Sequence, residues 1–306
     1  MMAAEKFNCE PKKLTDEAIE YFFELLNKKL EEGRDMLIER FNLMAEQPPK
    51  AARFLYENNM ILGYDGETVF SAIKHGTLVL GKIGSSETLQ ILIGKNHTTK
   101  EGMELAKRIE GTFKTRCAEF KALKRSNPNH PEWGEYFLNF GNYNTPSEGL
   151  CYTSMNKFKK EYGIIPNVSD REFFTNSIHI PVWEEISPFE KIDLESQLTG
   201  YSNSGCITYV ELDSKIKNNL PALENLVTYA MEKDVPYFAI NVPNDTCLEC
   251  GYTEDLEEDT CPICEGTIIE RLARVTGYLS SDYRHFNKGK QAEVKDRFKH
   301  SKLMEM

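Results

Sequence analysis

Four cysteines crowd into residues 247–264 as two C-x2-C pairs, Cys247-Leu248-Glu249-Cys250 and Cys261-Pro262-Ile263-Cys264. No other stretch restricts the fold as tightly. Each pair can wrap two thiolates around one ion, and the short segment 251–260 lets both pairs converge on a tetrahedral sulfur site. Cys247, Cys250, Cys261 and Cys264 are therefore candidate ligands of a structural Zn2+. A redox dithiol set or an iron–sulfur cluster would use the same four sulfurs. With every position filled by protein, the metal has no open site for substrate, so its expected role is to stabilise the tail. Gly251 and Gly266 follow the pairs, where a tight turn would help the backbone curl. The scattered Cys9, Cys117, Cys151 and Cys206 read as small apolar fillers rather than nucleophiles. Eight cysteines in 306 residues are too sparse for a disulfide scaffold.

Around this cluster the chain has the composition of a soluble globular protein, 40% apolar and 28% charged, and can bury a sizeable core. No apolar run approaches the roughly 20 residues of a membrane span, and the polar amino terminus is not a secretory signal. A cytoplasmic protein without membrane attachment is expected. The net charge of −11 would repel polyphosphate at long range, which excludes a general binder of nucleic-acid polymers. It leaves room for a local pocket holding one nucleotide.

The amino-terminal third reads helical. Thr15 can cap a helix whose first turn carries Asp16 and Glu17, and Ile19, Phe22, Phe23, Leu26, Leu30, Leu37, Phe41 and Met44 recur at helical spacing until Pro48-Pro49. The pattern predicts a second helix from Thr98, with Glu101 closing a capping box and Ile109, Phe113, Cys117 and Phe120 on one face. Beyond Asn127-Pro128 the texture shortens. Ile207 to Leu212 alternates like a strand, Pro221 opens a helix, and Val235 to Ile240 reads as a strand again. This alternation predicts an α/β layer or barrel rather than a bundle. A boundary near Asn241 to Asp245 separates the body from the cysteine-containing tail.

Past the cysteines lies Arg274-Val275-Thr276-Gly277-Tyr278-Leu279, a strand-like run interrupted by a glycine. In isolation such a glycine reads as a bulge or turn. The run is followed by Phe286-Asn287-Lys288-Gly289-Lys290, Glu293-Val294-Lys295 and Lys299-His300. Together with the preceding cysteine pairs, this order resembles the end of the anaerobic (class III) ribonucleoside-triphosphate reductases, members of the glycyl radical enzymes. The resemblance continues upstream. It includes Phe137-Leu138-Asn139 to Thr145-Pro146-Ser147-Glu148-Gly149-Leu150, Tyr162-Gly163-Ile164-Ile165-Pro166, Phe174-Thr175-Asn176-Ser177-Ile178-His179, and His75-Gly76-Thr77 with Gly84 and Glu87.

The resemblance implies that Gly277 carries a stable radical. A Cα radical is planar and delocalised into both flanking peptide groups, and a side chain would oppose that planarity. It also gives the Thr145 loop a second reading. Thr145 can cap a helix, with Pro146 at its first position and Glu148 closing a capping box. The same helix start offers free N–H groups to a phosphate. In reductases of this superfamily a corresponding loop holds the substrate's phosphates, which makes Thr145 and Ser147 substrate-binding candidates. Glu148 is a weaker one, better read as a cap. His75 and His179 read as hydrogen-bonded structural histidines.

The fold implied is the second half of a ten-stranded reductase-type α/β barrel with peripheral helices over residues 1–243. A small four-cysteine zinc domain over 244–270 follows, then a glycyl radical loop and carboxy-terminal tail over 271–306. The activity implied is reduction of ribonucleoside triphosphates to deoxyribonucleotides by glycyl and thiyl radical chemistry. A radical S-adenosylmethionine iron–sulfur activase would install the radical. The family's thiyl cysteine sits on a finger loop that this sequence does not match; Cys9, within Phe7-Asn8-Cys9-Glu10-Pro11, does not resemble it. A separate chain is expected to supply that cysteine with the amino-terminal half of the reductase, in a homo-oligomeric assembly. Two other readings are a radical-carrier replacement module or inactive remnant, and a zinc-ribbon interaction module without radical chemistry.

Overall fold

A computed structural model describes residues 1–58, 60–144, 148–242, 244–254, 256, 258–275, 278–280 and 282–304. After a short α1 (Met2–Lys6), the amphipathic run becomes α2 (Asp16–Ala45), one long helix capped by the Thr15 hydroxyl, which accepts from the Ala18 N–H at 3.3 Å. Short helices α3 (Arg53–Glu57) and α4 (Val69–Ile73) lead to strand β1 (Thr77–Gly81), then α5 (Ser85–Ile93) and α6 (Lys100–Ala122). The predicted face of α6 is buried at Ile109, Phe113, Cys117 and Phe120. Its start lies one residue beyond the predicted cap. Thr99, not Thr98, accepts from the Gly102 N–H, because Thr98 is engaged by the Asn96 side chain. Glu101 is thereby released from a capping box and pairs with Lys95 at 3.1 Å.

The chain continues through β2 (Asn139–Tyr143), α7 (Glu148–Tyr162), α8 (Pro188–Thr199), β3 (Thr208–Glu211), α9 (Leu220–Glu232) and β4 (Phe238–Asn241). β1 pairs parallel with β2, and β3 pairs parallel with β4. A parallel bridge between Asn144 and Cys206 links the two pairs. Parallel neighbours need a crossover, and each is supplied by helices: α5 and α6, then α7 and α8, then α9. The fold is therefore mixed α/β, with the strand–helix–strand alternation of the sequence. β3 is buried along its length and β2 at its three central residues, whereas β1 alternates with exposed positions and β4 is half-buried throughout.

One core lies between α2, α6, β1 and β2, around Phe23, Phe41, Phe70, Phe113, Phe120 and Phe140. A second lies between α8, α9, β3 and β4, around Ile192, Val210, Leu212 and Leu226. Fully burying each such side chain contributes about 1.5–3 kcal/mol. Cys117, Cys151 and Cys206 are buried as predicted for fillers; Cys9 is partly exposed. His179 is buried as expected of a structural histidine, but His75 is exposed and does not fit that reading.

A separate antiparallel sheet closes the chain: β5 (Asn244–Cys247), β6 (Thr253–Glu254), β7 (Ile269–Val275) and β8 (Tyr278–Ser280), in the order β6-β5-β7-β8. The last helix, α10 (Lys288–Asp296), then returns to the body and packs on α7. A Cβ at Gly289 would stand 2.8 Å from the Tyr152 Cβ, so this close approach requires glycine. Among the described residues no helix is long and apolar enough to cross a membrane.

Candidate functional site

The four thiols of Cys247, Cys250, Cys261 and Cys264 converge, all lying within 4.8 Å of one another. The Cys247–Cys264 and Cys250–Cys261 sulfurs are each 3.6 Å apart. A tetrahedron with Zn–S arms of about 2.3 Å has edges of about 3.8 Å, so the cluster fits a four-sulfur metal. Each pair is built by the same turn. The Cys247 and Cys261 N–H groups donate to the Tyr252 and Gly266 carbonyls, and the Gly251 and Glu265 N–H groups donate back to the Cys247 and Cys261 carbonyls.

The turn needs a left-handed residue directly after the second cysteine. Gly251 supplies it at φ +75°, while in the second pair Glu265 does so at +59°. Gly266 is one position too late for the role expected of it. It gives close packing instead: a Cβ there would meet the Glu249 carboxylate at 2.5 Å. That carboxylate accepts from the Thr267 and Ile268 N–H groups and ties the first pair to the second. Arg271 fastens the connection between them, donating to the carbonyls of Leu256 and Glu258 and pairing with Asp245 and Asp259.

β5 carries Cys247 at its end and pairs with β7, placing Cys247 opposite Ile269. β7 in turn pairs with β8, with Arg274 opposite Leu279 and Val275 opposite Tyr278. The strands on either side of Gly277 thus belong to the same sheet as the cysteine cluster. Gly277 itself, like Thr145 and Ser147, lies outside the described residues. Glu148 is the first residue of α7.

What the structure adds around these positions is a set of buried polar groups. Immediately before the Thr145 loop, Asn144 shares a network with Lys82, Glu110, Asn142 and Ser202. The Lys82 ammonium donates to Asn144 Oδ1 at 2.7 Å, and the Asn142 and Asn144 amides donate to Glu110 at 2.9 and 3.0 Å. Burial lowers the Lys82 pKa, and the Glu110 carboxylate opposes that shift.

At the far ends of β3 and β4, Glu211 and Asn241 line a cavity of about 190 Å³ with Asp245, Arg271, Arg274 and Arg297. The carboxyl ends of parallel strands are where α/β folds usually place ligands. The Asn241 amide donates to Glu211 at 2.6 Å. Arg297 Nη1 lies 2.8 Å from the other Glu211 oxygen, an ion-pair contact rather than an aligned hydrogen bond. Burial lifts the Glu211 carboxyl above its ordinary range, with Arg297 opposing. On α10, Glu293 pairs with both Lys290 and Arg297. Deeper in the body, Glu195 accepts from Lys191 at 2.7 Å and from the Ile180 N–H at 3.0 Å, and lies 3.4 Å from His179.

Sequence reasoning did not single out Glu211, Asn241, Arg297, Lys82 or Glu110. For Lys290, Glu293 and Arg297 a signal was available in their i, i+3 and i, i+4 spacing. On one sequence that spacing reads as a solvated helix face, and only the fold shows the face to be buried.

The profile of the family described as "Anaerobic ribonucleoside-triphosphate reductase" matches residues 8–300. The enzyme of that name from Escherichia coli (strain K12) is 35% identical over 293 residues, covering 91% of this chain and 39% of the relative. Its counterpart from Enterobacteria phage T4 is 31% identical over 292 residues, covering 91% of this chain and 44% of the relative. A solved anaerobic ribonucleotide reductase superposes with a TM-score of 0.67 at 20% identity, over 92% of this chain and 41% of that one. The Thermotoga maritima enzyme in complex with dATP and CTP gives 0.63 at 19%, over 90% and 41%. The chain therefore spans about two-fifths of the length of these relatives. The chain belongs to the anaerobic ribonucleoside-triphosphate reductases.

Proposed function

We propose that this chain is the radical-bearing, carboxy-terminal part of an anaerobic ribonucleoside-triphosphate reductase, with Gly277 as the radical residue. Residues 1–243 form half of the reductase α/β barrel, 244–270 the zinc domain and 271–306 the radical loop and tail. The observation carrying the reading is that the strands flanking Gly277 share a sheet with the four-thiol cluster, and that the first of them, β7, lines the cavity at the ends of β3 and β4. A zinc-ribbon interaction module would leave the segment after the hairpin on the surface. Instead, Gly289 and Lys290 are buried, and α10 packs on α7, the helix that follows the Thr145 loop.

In this reading Cys247, Cys250, Cys261 and Cys264 hold Zn2+, which braces the hairpin from a closed coordination shell. Thr145 and Ser147 receive the substrate's phosphates, and Glu148, a weaker candidate for substrate contact, caps the helix start. A radical S-adenosylmethionine activase removes hydrogen from Gly277, and the radical passes to a cysteine on a separate chain carrying the amino-terminal half. That thiyl radical takes the 3′ hydrogen of the ribonucleotide, the 2′ hydroxyl is protonated and leaves as water, and a two-electron reductant, formate or a dithiol, supplies the electrons that complete the deoxyribonucleotide. The body's two half-exposed edge strands, β1 and β4, are the edges such a chain would cover. The assembled enzyme works in the cytoplasm as a homo-oligomer.

The test is anaerobic activation with the activase and the complementing half. The expected product is a carbon-centred radical with a large doublet from one α-hydrogen. Air then cuts the chain at Gly277 and releases residues 278–306. Gly277→Ala abolishes both the signal and the cut and keeps the zinc. A wild-type chain that stays silent and intact, beside a full-length relative that is cleaved, makes Gly277 a turn residue only.

A further inference from the structure

The carbonyl of Arg274, three residues before Gly277, accepts from two side chains. Arg297 Nη1 donates at 2.7 Å and Asn241 Nδ2 at 3.2 Å. Both donors are themselves fixed. Asn241, the last residue of β4, is held by Glu211, the last residue of β3. Arg297 is held between Glu211 and Glu293, and Glu293 is held by Lys290.

Glu211, Lys290, Glu293 and Arg297 are all less than 10% exposed. Burying two acids and two bases costs several kcal/mol per ion, and apolar residues of equal volume would often be as stable. A buried ionic set is better suited to specifying one arrangement than to adding stability. The arrangement fixed here is a single backbone carbonyl at the root of the hairpin. The rest of the tail is tied to the body beside it. The Phe298 N–H donates to the Val182 carbonyl, His300 Nδ1 accepts from the Glu211 N–H, and Ser301 Oγ accepts from the Asp213 N–H.

We infer that Arg297 and Asn241 are positioning residues: by jointly gripping the Arg274 carbonyl they set strand β7, the strand that leads into Gly277, against the ends of β3 and β4. The inference rests on the reading of Gly277 as the radical residue. Radical transfer demands close approach of the reacting atoms, and a misplacement of about 1 Å can cost about a hundredfold in rate. A grip three residues away controls displacements of that size.

The test uses the full metal-loaded chain with Asn241→Ala, which removes one donor, and Arg297→Lys, which keeps the charge facing Glu211 and Glu293 but not the fork. Amide hydrogen exchange in residues 270–283 is expected to rise about tenfold in each variant, the scale of one lost hydrogen bond. Zinc content and exchange in α2 and α6 stay as in wild type. In the assembled, activated enzyme, kcat falls ten- to a hundredfold while KM is unchanged. Exchange in the hairpin that stays at the wild-type rate overturns the inference. So does a rise spread equally over α2, α6 and the hairpin. So does a loosened hairpin with undiminished kcat. The exchange arm needs no radical. If wild type forms none while the hairpin still loosens in Asn241→Ala, the radical reading fails and the grip on Arg274 stands.

Discussion

The body and the tail of this chain are held together by different physics. The body, through Asn241, buries whole faces of helices against parallel strands, with Phe23, Phe41, Phe113, Phe120 and Phe140 in one core alone. The tail from Asn244 buries Cys247, Leu256, Cys261 and Ile269, with Tyr252 partly covered. Two of those four are cysteines of the cluster. A unit that small lacks the apolar area to offset its chain entropy, and a metal is the usual remedy. The comparison therefore predicts two regions whose stabilities respond to different insults.

Metal removal should have the largest effect. Structural zinc supplies about 10–16 kcal/mol of apparent binding free energy in small zinc-folded peptides. Chelation, or Cys261→Ser, should release the metal and melt residues 244–283, seen as new protease sites there, while α2 and α6 keep their protection. A metal-free chain with an unchanged tail would remove zinc as the staple.

The converse perturbation is a cavity in the body. Phe120 is 1% exposed and packs edge-on against Phe140 at 5.6 Å between ring centroids. Phe120→Ala should cost about 3–5 kcal/mol in denaturant unfolding. Metal stoichiometry should not change. Loss of zinc in this variant would show that body and tail are one cooperative unit.

The two regions also differed in how far the sequence revealed them. The cysteine pairs read directly, because C-x2-C spacing encodes a local turn and two such turns need only a short loop to meet. The faces of α2 and α6 and the strand–helix–strand alternation near Pro221 read for the same reason: periodicity is local. The cap of α6 was misplaced by one residue because Thr98 and Thr99 are equivalent on paper, and only Asn96 distinguishes them. The tight turn after the second cysteine pair was expected at Gly266, though Glu265 makes it in a left-handed conformation at roughly 1–2 kcal/mol of strain. Of the Glu211–Arg297–Glu293 set, only the i, i+4 spacing of Glu293 and Arg297 was legible. Glu211 lies more than 80 positions before Arg297, and nothing in a single sequence pairs those two.

A titration sharpens the comparison further, since the body buries ionisable groups of its own, Glu87 among them. Glu87 accepts from the Thr175 N–H and hydroxyl, yet its Oε2 is buried without a hydrogen-bond partner among the described residues. Burial lifts its carboxyl from 4.5 to about 7, against Thr175 and the more distant Arg171. A pKa raised by folding means the native state binds the proton more tightly. The contribution of Glu87 is thus full below about pH 4.5 and is lost as pH rises through 7. Its ceiling is about 3 kcal/mol at 1.36 kcal/mol per unit. Glu87→Gln should flatten the body's stability between pH 5 and 7. If the slopes of wild type and variant coincide over that range, Glu87 is ionised in the fold.

The smallest effect tests whether the two regions are separable at all. Thr15 caps α2 through the Ala18 N–H. Thr15→Ala leaves that donor without its side-chain partner and should lower stability by about 1 kcal/mol, while Thr15→Ser, which keeps the hydroxyl, should stay close to wild type. The helix lies in the body and none of its residues lines the cavity beside the hairpin. Exchange in α2 and α6 should therefore accelerate about fivefold in Thr15→Ala, with residues 244–275 unmoved and the metal retained. An equal acceleration in the tail would mean that the tail opens only when the body does. The staple at Cys247–Cys264 would then be reinforcing a structure already held by the body, and the contrast between a packed region and a metal-held one would collapse into a single cooperative fold.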